Sequence, residues 1–249
     1  MKRIAYLLAA AALLILPSCR FVRVSDEMLG KIKDNIGTDI EFNGDDTAAG
    51  KDIITASDNY ITRNDMTGEF HSVQCNVPGD VIYTPGDCAI SLDGPDNVVQ
   101  HILINNENGT LVVKTDGVTV RKLKKFTIRL SSPVLEEAVF NGAVDFSAPQ
   151  GITALDFNVV VNGAGDVGIN GLKADKAAVT VNGAGDIDID KLDCERLSVA
   201  VNGAGDAVVS GKAATASLTI SGAGDIDASE LRCPEIESKV RGVGRIKRP

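Results

Sequence analysis

The feature that most constrains this chain is a short phrase printed several times at nearly constant spacing. VVVNGAGDVGIN, VTVNGAGDIDID, VAVNGAGDAVVS and LTISGAGDIDAS begin at residues 159, 179, 199 and 218. Taking Asn162, Asn182, Asn202, Ser221 and Arg241 as successive origins, the steps are 20, 20, 19 and 20 residues. A weaker copy, FNGAVDF, places Asn141 another 21 residues upstream. A fixed period of this length marks a stacked-repeat architecture, in which each unit buries its apolar side against its neighbours.

The columns of the repeat identify the unit. One residue before the origin stand Phe140, Val161, Val181, Val201, Ile220 and Val240; three before it stand Val159, Val179, Val199 and Leu218. Five after it come Val167, Ile187, Ala207 and Ile226, and seven after it Ile169, Ile189, Val209 and Ala228. Apolar and polar residues alternate on both sides of the NGAG turn, which is the period of half-buried strands. Ten after the origin come Leu172, Leu192 and Leu231, with Lys212 breaking the column. Within the repeat no stretch carries a helical stripe, twenty residues leave no room for a strand plus a packed helix, and leucine-rich-repeat spacing is absent. The fold class expected is all-β: a single-chain β-solenoid, or parallel β-helix, with three short strands per rung and rungs about 4.8 Å apart.

In this reading the recurring Asn and Gly residues (Asn162, Gly163, Gly165, Asn182, Gly183, Gly185, Asn202, Gly203, Gly205, Gly222 and Gly224) form corners. Corners need backbone angles that a Cβ resists, and stacked Asn side chains can hydrogen-bond along the stack. The phrase is mainly a hinge. Asp145, Asp166, Asp186, Asp206 and Asp225 fall four residues after their origins and form a column of carboxylates. At rung spacing such a column must be solvated, hydrogen-bonded or bridged by a cation or partner. Calcium favours oxygen clusters of this kind, although the calcium β-roll phrase G-G-x-G-x-D differs. The plainer alternative is that each Asp caps its own turn. Arg241 and Arg245 replace Asn and Asp in the last rung, where Arg245 would adjoin Asp225.

The chain opens MKRIAYLLAAAALLILPSC: two cations, a short apolar run, then Leu16-Pro17-Ser18-Cys19. That layout is a secretory signal over residues 1–18, and the run is too short to span a bilayer as a helix. LPSC resembles a bacterial lipobox, with Cys19 as the lipid-attachment residue. Cleavage would leave 231 of the 249 residues, and the loss of Lys2 and Arg3 would take the net charge from −9 to −11. An acidic surface argues against nucleic acid or anionic lipid headgroups as partners.

Residues 19–56 read as a tether with one short helical stretch, SDEMLGKIKDNI; residues 57–135 as an irregular N-terminal β part, either rungs or a cap; and residues 136–249 as the regular solenoid. Cys194 and Cys233 share a column with Ala174 and Ala214 and lie two rungs apart. That is about 9.6 Å by rung spacing, beyond the roughly 7 Å Cα separation a disulfide tolerates. Cys75 and Cys88 flank an expected hairpin, HSVQCNV–PGD–VIYTPGDCAISL, and could pair.

Taken together, NYITRNDMTGEFHSVQCNVPGDVIYTPGD, GPDNVVQHILINNENGTLVVKT, FTIRLSSPVLEEAVFNGAVDF and the NGAGD series resemble the head GIN domain family, adhesin-like exported lipoproteins of Bacteroides-type bacteria. Gly168-Ile169-Asn170 stands in the first full rung. The resemblance runs from about Asn59 to the C-terminus and implies a β-helical fold with an adhesion-type role.

Catalysis finds little support. GAGDVG formally matches a dinucleotide fingerprint, but a strand follows it where a helix is required. There are two histidines, His71 and His101, and no nucleophile elbow. The expectation is a non-enzymatic lipoprotein of the cell envelope, held to the outer membrane by lipid on a side the sequence does not fix. It would bind a host or envelope protein or glycan through a solenoid face. The alternatives are a self-assembling structural or sensing module, and a carbohydrate-active β-helix enzyme. The basic run Arg121-Lys122-Leu123-Lys124-Lys125 reads as a solvated strand end, the alternative being a partner contact.

Overall fold

The computed structural model describes residues 52–249; the expected leader, the expected lipid-attachment residue Cys19 and the expected SDEMLGKIKDNI helix lie outside the described residues. Among the described residues, nineteen strands and one helical turn follow in chain order. The first part holds β1 (Ile53–Thr55), β2 (Tyr60–Asp65), β3 (Ser72–Cys75), β4 (Gly79–Pro85), β5 (Ala89–Pro95), the turn α1 (Asp96–Val99), β6 (Ile102–Glu107), β7 (Thr110–Thr115), β8 (Thr119–Arg121) and β9 (Thr127–Ser132). The repeat holds β10 (Glu137–Ala148), β11 (Ile152–Thr153), β12 (Asp156–Ala164), β13 (Val167–Ala184), β14 (Ile187–Ala204), β15 (Ala207–Ala223), β16 (Ile226–Asp227), β17 (Leu231–Arg232), β18 (Glu235–Val243) and β19 (Ile246–Lys247).

The repeat is a β-solenoid with rungs of about 20 residues, as its columns require. Long strands such as β13 span most of a rung, their ladder to the next rung interrupted at Gly171 and Asp175. Val159↔Val179, Asn162↔Asn182 and Gly163↔Gly183 pair in parallel register, and β14 continues the same columns. The alternation predicted from sequence is the burial pattern observed: Val167, Ile169, Leu172, Ala177, Val179 and Val181 all point inward and are buried. The core side chains are largest at the N-terminal end, where Tyr83, Phe126, Phe140, Phe146 and Phe157 lie fully buried, and shrink to Val, Ile and Ala further along.

At residue resolution the short 19-residue step lies elsewhere than the Asn origins suggest. The register between β14 and β15 shifts between Ile189 and Leu192, so Leu192 faces Gly211 and Cys194 faces Ala213. Gly211, and not Lys212, is therefore the residue that interrupts the leucine column. Lys212 instead pairs with Asp193, 3.0 Å away on the outside. The cysteine column likewise runs Ala174, Cys194, Ala213 rather than through Ala214.

The irregular N-terminal part is both rungs and cap. β3 and β4 lie parallel to β10, and their other edges are parallel to β7 and β9. The stacking order is thus β7/β9, then β3/β4, then β10, which departs from chain order. Beyond β7/β9 the ladders become antiparallel: β6 covers β7, β5 covers β9, and β2 covers β5. Antiparallel strands thus finish this end, with β2 and β6 as its edge strands. Two details differ from the sequence expectations. Residues 96–99 form the helical turn α1 within the part expected to be β, with the Asp96 carboxylate accepting from Ser57 Oγ (2.5 Å) and Asn59 Nδ2 (2.7 Å). Residues 53–55, assigned to the tether, form β1 and pair with β8.

The expected hairpin around Cys75 and Cys88 is also corrected. Because β3 and β4 both run parallel to β10, Asn76-Val77-Pro78 is a solenoid corner and not a hairpin turn. The two cysteines are free thiols facing different carbonyls, Cys75 Sγ donating to Val77 O (3.4 Å) and Cys88 Sγ to Phe70 O (3.9 Å). Burial pushes the Cys75 thiol up to about 11. Cys194 and Cys233 are free as well.

Candidate functional site

The NGAGD corner builds two ladders. Along the first, each Asn Nδ2 donates to the Oδ1 of the Asn one rung earlier: Asn162 to Asn141 (3.0 Å), Asn182 to Asn162 (2.9 Å) and Asn202 to Asn182 (2.9 Å). The column extends to Asn76, which accepts from Asn141 at 2.7 Å. Sequence reasoning missed this member, although NVPGD keeps the same Asn-to-Asp spacing as NGAGD. Replacement of Gly-Ala by Val-Pro hid it.

Along the second ladder, each Asp Oδ1 accepts the backbone N–H of the residue one rung later. Asp145 serves Asp166 (3.1 Å), Asp166 serves Asp186 (2.8 Å), Asp186 serves Asp206 (2.7 Å), and Asp206 serves Asp225 (2.7 Å). The carboxylates therefore cap the neighbouring turn and not their own. Asp225 ends the series, accepting from Arg245 N (2.7 Å) and pairing with Arg245 Nη2 (3.1 Å). That guanidinium, and then the backbone N–H, hold the Asp225 carboxyl below its usual range. Among the described residues, no group of three or more His, Cys, Asp or Glu is arranged to hold a metal ion. The expected Asp column exists, and one oxygen of each carboxylate, Oδ1, joins its rung to the next.

The histidines do not assemble a catalytic relay. His71 Nδ1 lies 3.1 Å from Ser72 Oγ and 3.2 Å from Glu136 Oε2, so hydroxyl and carboxylate address the same ring nitrogen. A triad base must meet its nucleophile through one nitrogen and its orienting acid through the other. His101 pairs with Asp116 at 2.8 Å.

A further surface feature is the corner at Leu155, which stands outside the repeated columns. Leu155 is 72% exposed, between β11 and β12. Its carbonyl accepts from Asp175 N (2.8 Å) and Lys176 N (3.1 Å), which pins the backbone and leaves the side chain outward. An open groove lies on each side of it, of about 620 and 560 Å³. Ala177, Ala178 and Leu197 line the first, with Glu137, Lys176 and Arg196 also along it; Ala174 and Cys194 line the second, with Lys173 and Glu195. Burial raises the Cys194 thiol to about 11, so it is an inert wall and not a nucleophile. The sequence did hold a signal: two residues before Phe157, Ala177 and Leu197 stand Leu155, Asp175 and Glu195, and the apolar member of that column is the odd one.

The comparisons agree with this architecture. The family model described as "Putative auto-transporter adhesin, head GIN domain" matches residues 69–188 and 160–247. No curated protein matches the chain. Among solved structures, a "putative adhesin" of Bacteroides fragilis is similar at 24% identity and a TM-score of 0.65, covering 79% of this chain and 100% of its own. A "putative adhesin" of Parabacteroides merdae is similar at 20% identity and a TM-score of 0.52, over 79% of this chain and 100% of its own. A "putative lipid binding protein" of Parabacteroides distasonis gives 16% and 0.54, over 78% and 100%. At these identities the structures bear on fold alone, and they share the solenoid. With the family model matched across the rungs and most of the N-terminal part, the chain belongs to the head GIN domain family.

Proposed function

We propose that the protein is a non-catalytic, lipid-anchored adhesin of the cell envelope, attached through Cys19, that binds an extended polypeptide along the grooved corner at Leu155. The observation that carries this reading is the exposed Leu155 standing between two grooves. Isolated exposed leucines are common, but one rising between two grooves floored by small apolar side chains offers a shaped apolar contact. Charges of both signs at the rims suit a mixed-charge chain. A glycan is disfavoured because Phe157, the one aromatic lining either groove, is buried and offers no stacking face. The adhesin designation of the similar Bacteroides fragilis and Parabacteroides merdae proteins supports the class of function.

The test is adherence of intact cells to a protein-coated surface. A strain lacking the protein is complemented with the wild type or with Leu155→Asp, each tagged after Pro249. Adherence should fall severalfold for the variant while external protease still removes the tag from both. A tag that survives protease on intact cells, but not after outer-membrane permeabilisation, would overturn the adhesin reading.

A further inference from the structure

The two ends of the solenoid are finished differently. Antiparallel strands cover the N-terminal end, whereas at the C-terminal end β18 pairs only with β15 and β19 only with β16 among the described residues. The outer edge of β18 is an unpaired ladder. Its inward residues show what is missing. Val161, Val181, Val201 and Ile220 are fully buried, yet Val240 in the same column is 41% exposed. The column of Val159, Val179, Val199 and Leu218, also fully buried, ends in an exposed Ser238.

The sequence of this edge, Glu235-Ile236-Glu237-Ser238-Lys239-Val240-Arg241, is antisymmetric in charge about Ser238. Rotated by two-fold symmetry and laid antiparallel to itself at Ser238, the strand sets Glu235 against Arg241, Glu237 against Lys239, and Ile236 against Val240. Moving the centre one same-face step either way opposes Glu237 to itself or Lys239 to itself. Like charges directly opposite destabilise a strand pair, so one register is selected. None of these four charged residues enters an ion pair within the described residues. The backbone agrees. Gly224 N donates to Val243 O, so the odd-numbered residues of β18 turn their polar groups back toward β15. Ile236, Ser238 and Val240 then present N–H and C=O to the open edge, as a hydrogen-bonded antiparallel centre at Ser238 requires.

We propose that β18 is an interface between two copies of this chain, paired antiparallel about a two-fold axis at Ser238, so that the sheet and its apolar interior continue from one copy into the other. An edge merely protected by charge would carry one sign, or Lys alone, and would repel itself in every register. A head-to-tail stack is disfavoured because the edge strands at the other end, β2 and β6, belong to antiparallel pairs and do not continue the parallel rungs. A two-fold interface is closed and yields dimers, not fibres.

The experiment is in-cell cross-linking of the full chain carrying Ser238→Cys in a Cys233→Ala background, oxidised with copper phenanthroline and read on non-reducing gels. Opposed residues at a hydrogen-bonded antiparallel centre lie about 5.5 Å apart in Cα, within disulfide reach. A dimer band is expected, and its loss is expected on adding either Glu237→Lys or Lys239→Glu alone. Co-expressing those two variants with different tags should restore a band carrying both tags, since the introduced lysine of one copy then meets the introduced glutamate of the other. Absence of the band, persistence of it in the single-charge variants, failure of the mixed pair, or a ladder of higher oligomers would each overturn the proposal. The readout is independent of adherence, so the two proposals fail separately.

Discussion

At the residue scale the repeat separates glycines that the fold cannot replace from one it can. Gly183 has φ +146°, and a Cβ there would run into the carbonyl oxygen of Gly163 in the rung below. Both the backbone angle and the stacking distance exclude a side chain. Gly168, the first residue of Gly-Ile-Asn, lacks a positive φ, and a Cβ on it would come no closer than 4.0 Å to Phe146 O. Gly183→Ala should therefore cost about 3 kcal/mol or more, since neither angle nor neighbour can give. Gly168→Ala should leave stability unchanged or raise it by about 0.5 kcal/mol through the unfolded chain. Denaturant melts of both variants decide the matter. Equal losses would mean that the corner is not the constraint. The ladder residues were legible for the same reason: Asn and Asp recur at fixed offsets, and only rung-to-rung hydrogen bonding demands that identity on the outside. Leu155 was not legible as a site because its exposure depends on where the corner turns, and the pattern of alternation says nothing about groove depth.

At the element scale the last rung is the least supported. β18 and β19 rest on one neighbour each, and ion pairs help to hold them: Arg245 to Asp225 and Lys247 to Asp227. Asp227 has the stronger perturbation. Its carboxylate accepts from Ser229 Oγ (2.6 Å) and Ser229 N (2.9 Å) and pairs with Lys247 Nζ (3.1 Å), which together lower it to about 2 from an ordinary 3.8. A carboxylate lowered in the folded state stabilises above its unfolded pKa and loses that contribution as pH falls through the folded one. The contribution of Asp227 is thus intact above about pH 4 and gone below about pH 2; Asp225, shifted the same way, adds to it. Across that window, backbone amides of residues 235–247 should lose hydrogen-exchange protection before those of β13 and β14. Loss of protection in the central rungs first would show that other carboxylates govern acid stability. Legibility at this scale was partial. The long strands from β10 to β15 could be read, since one face of each is buried. The Cys75–Cys88 segment was misread because PGD serves equally well as a hairpin turn or a solenoid corner, and only the partner strands decide which. α1 was missed because Val98 and Val99 are fully buried and extend an apolar run that looks like strand.

For the whole molecule, the stacking order separates two regions with different dependencies. In β12 to β15 every rung touches the next rung in sequence, so stability is approximately a sum of rung and neighbour terms. Around β3/β4 it is not: that rung lies between strands ending at residue 132 and one beginning at residue 137, and neither neighbour can be removed without stranding it. No periodicity in the sequence announces this order, because the columns say which residues share a face and not which rung lies on which. The consequence can be tested by excision. Removing residues 167–186 joins Asp166 to Ile187 at equivalent corners and sets Phe146 on Ile187, Ile152 on Leu192 and Phe157 on Leu197, with both ladders in phase. The shortened chain should keep β circular dichroism and melt cooperatively, with stability lowered by the lost neighbour contacts. Removing residues 167–176 alone takes out half a rung, carries every later corner onto the wrong face, and should leave the C-terminal rungs unfolded. Excising residues 72–85 should collapse the N-terminal part as well, since β7, β9 and β10 would then lack the strands that join them. If the half-rung and whole-rung deletions behaved alike, the rung would not be the cooperative unit of this fold.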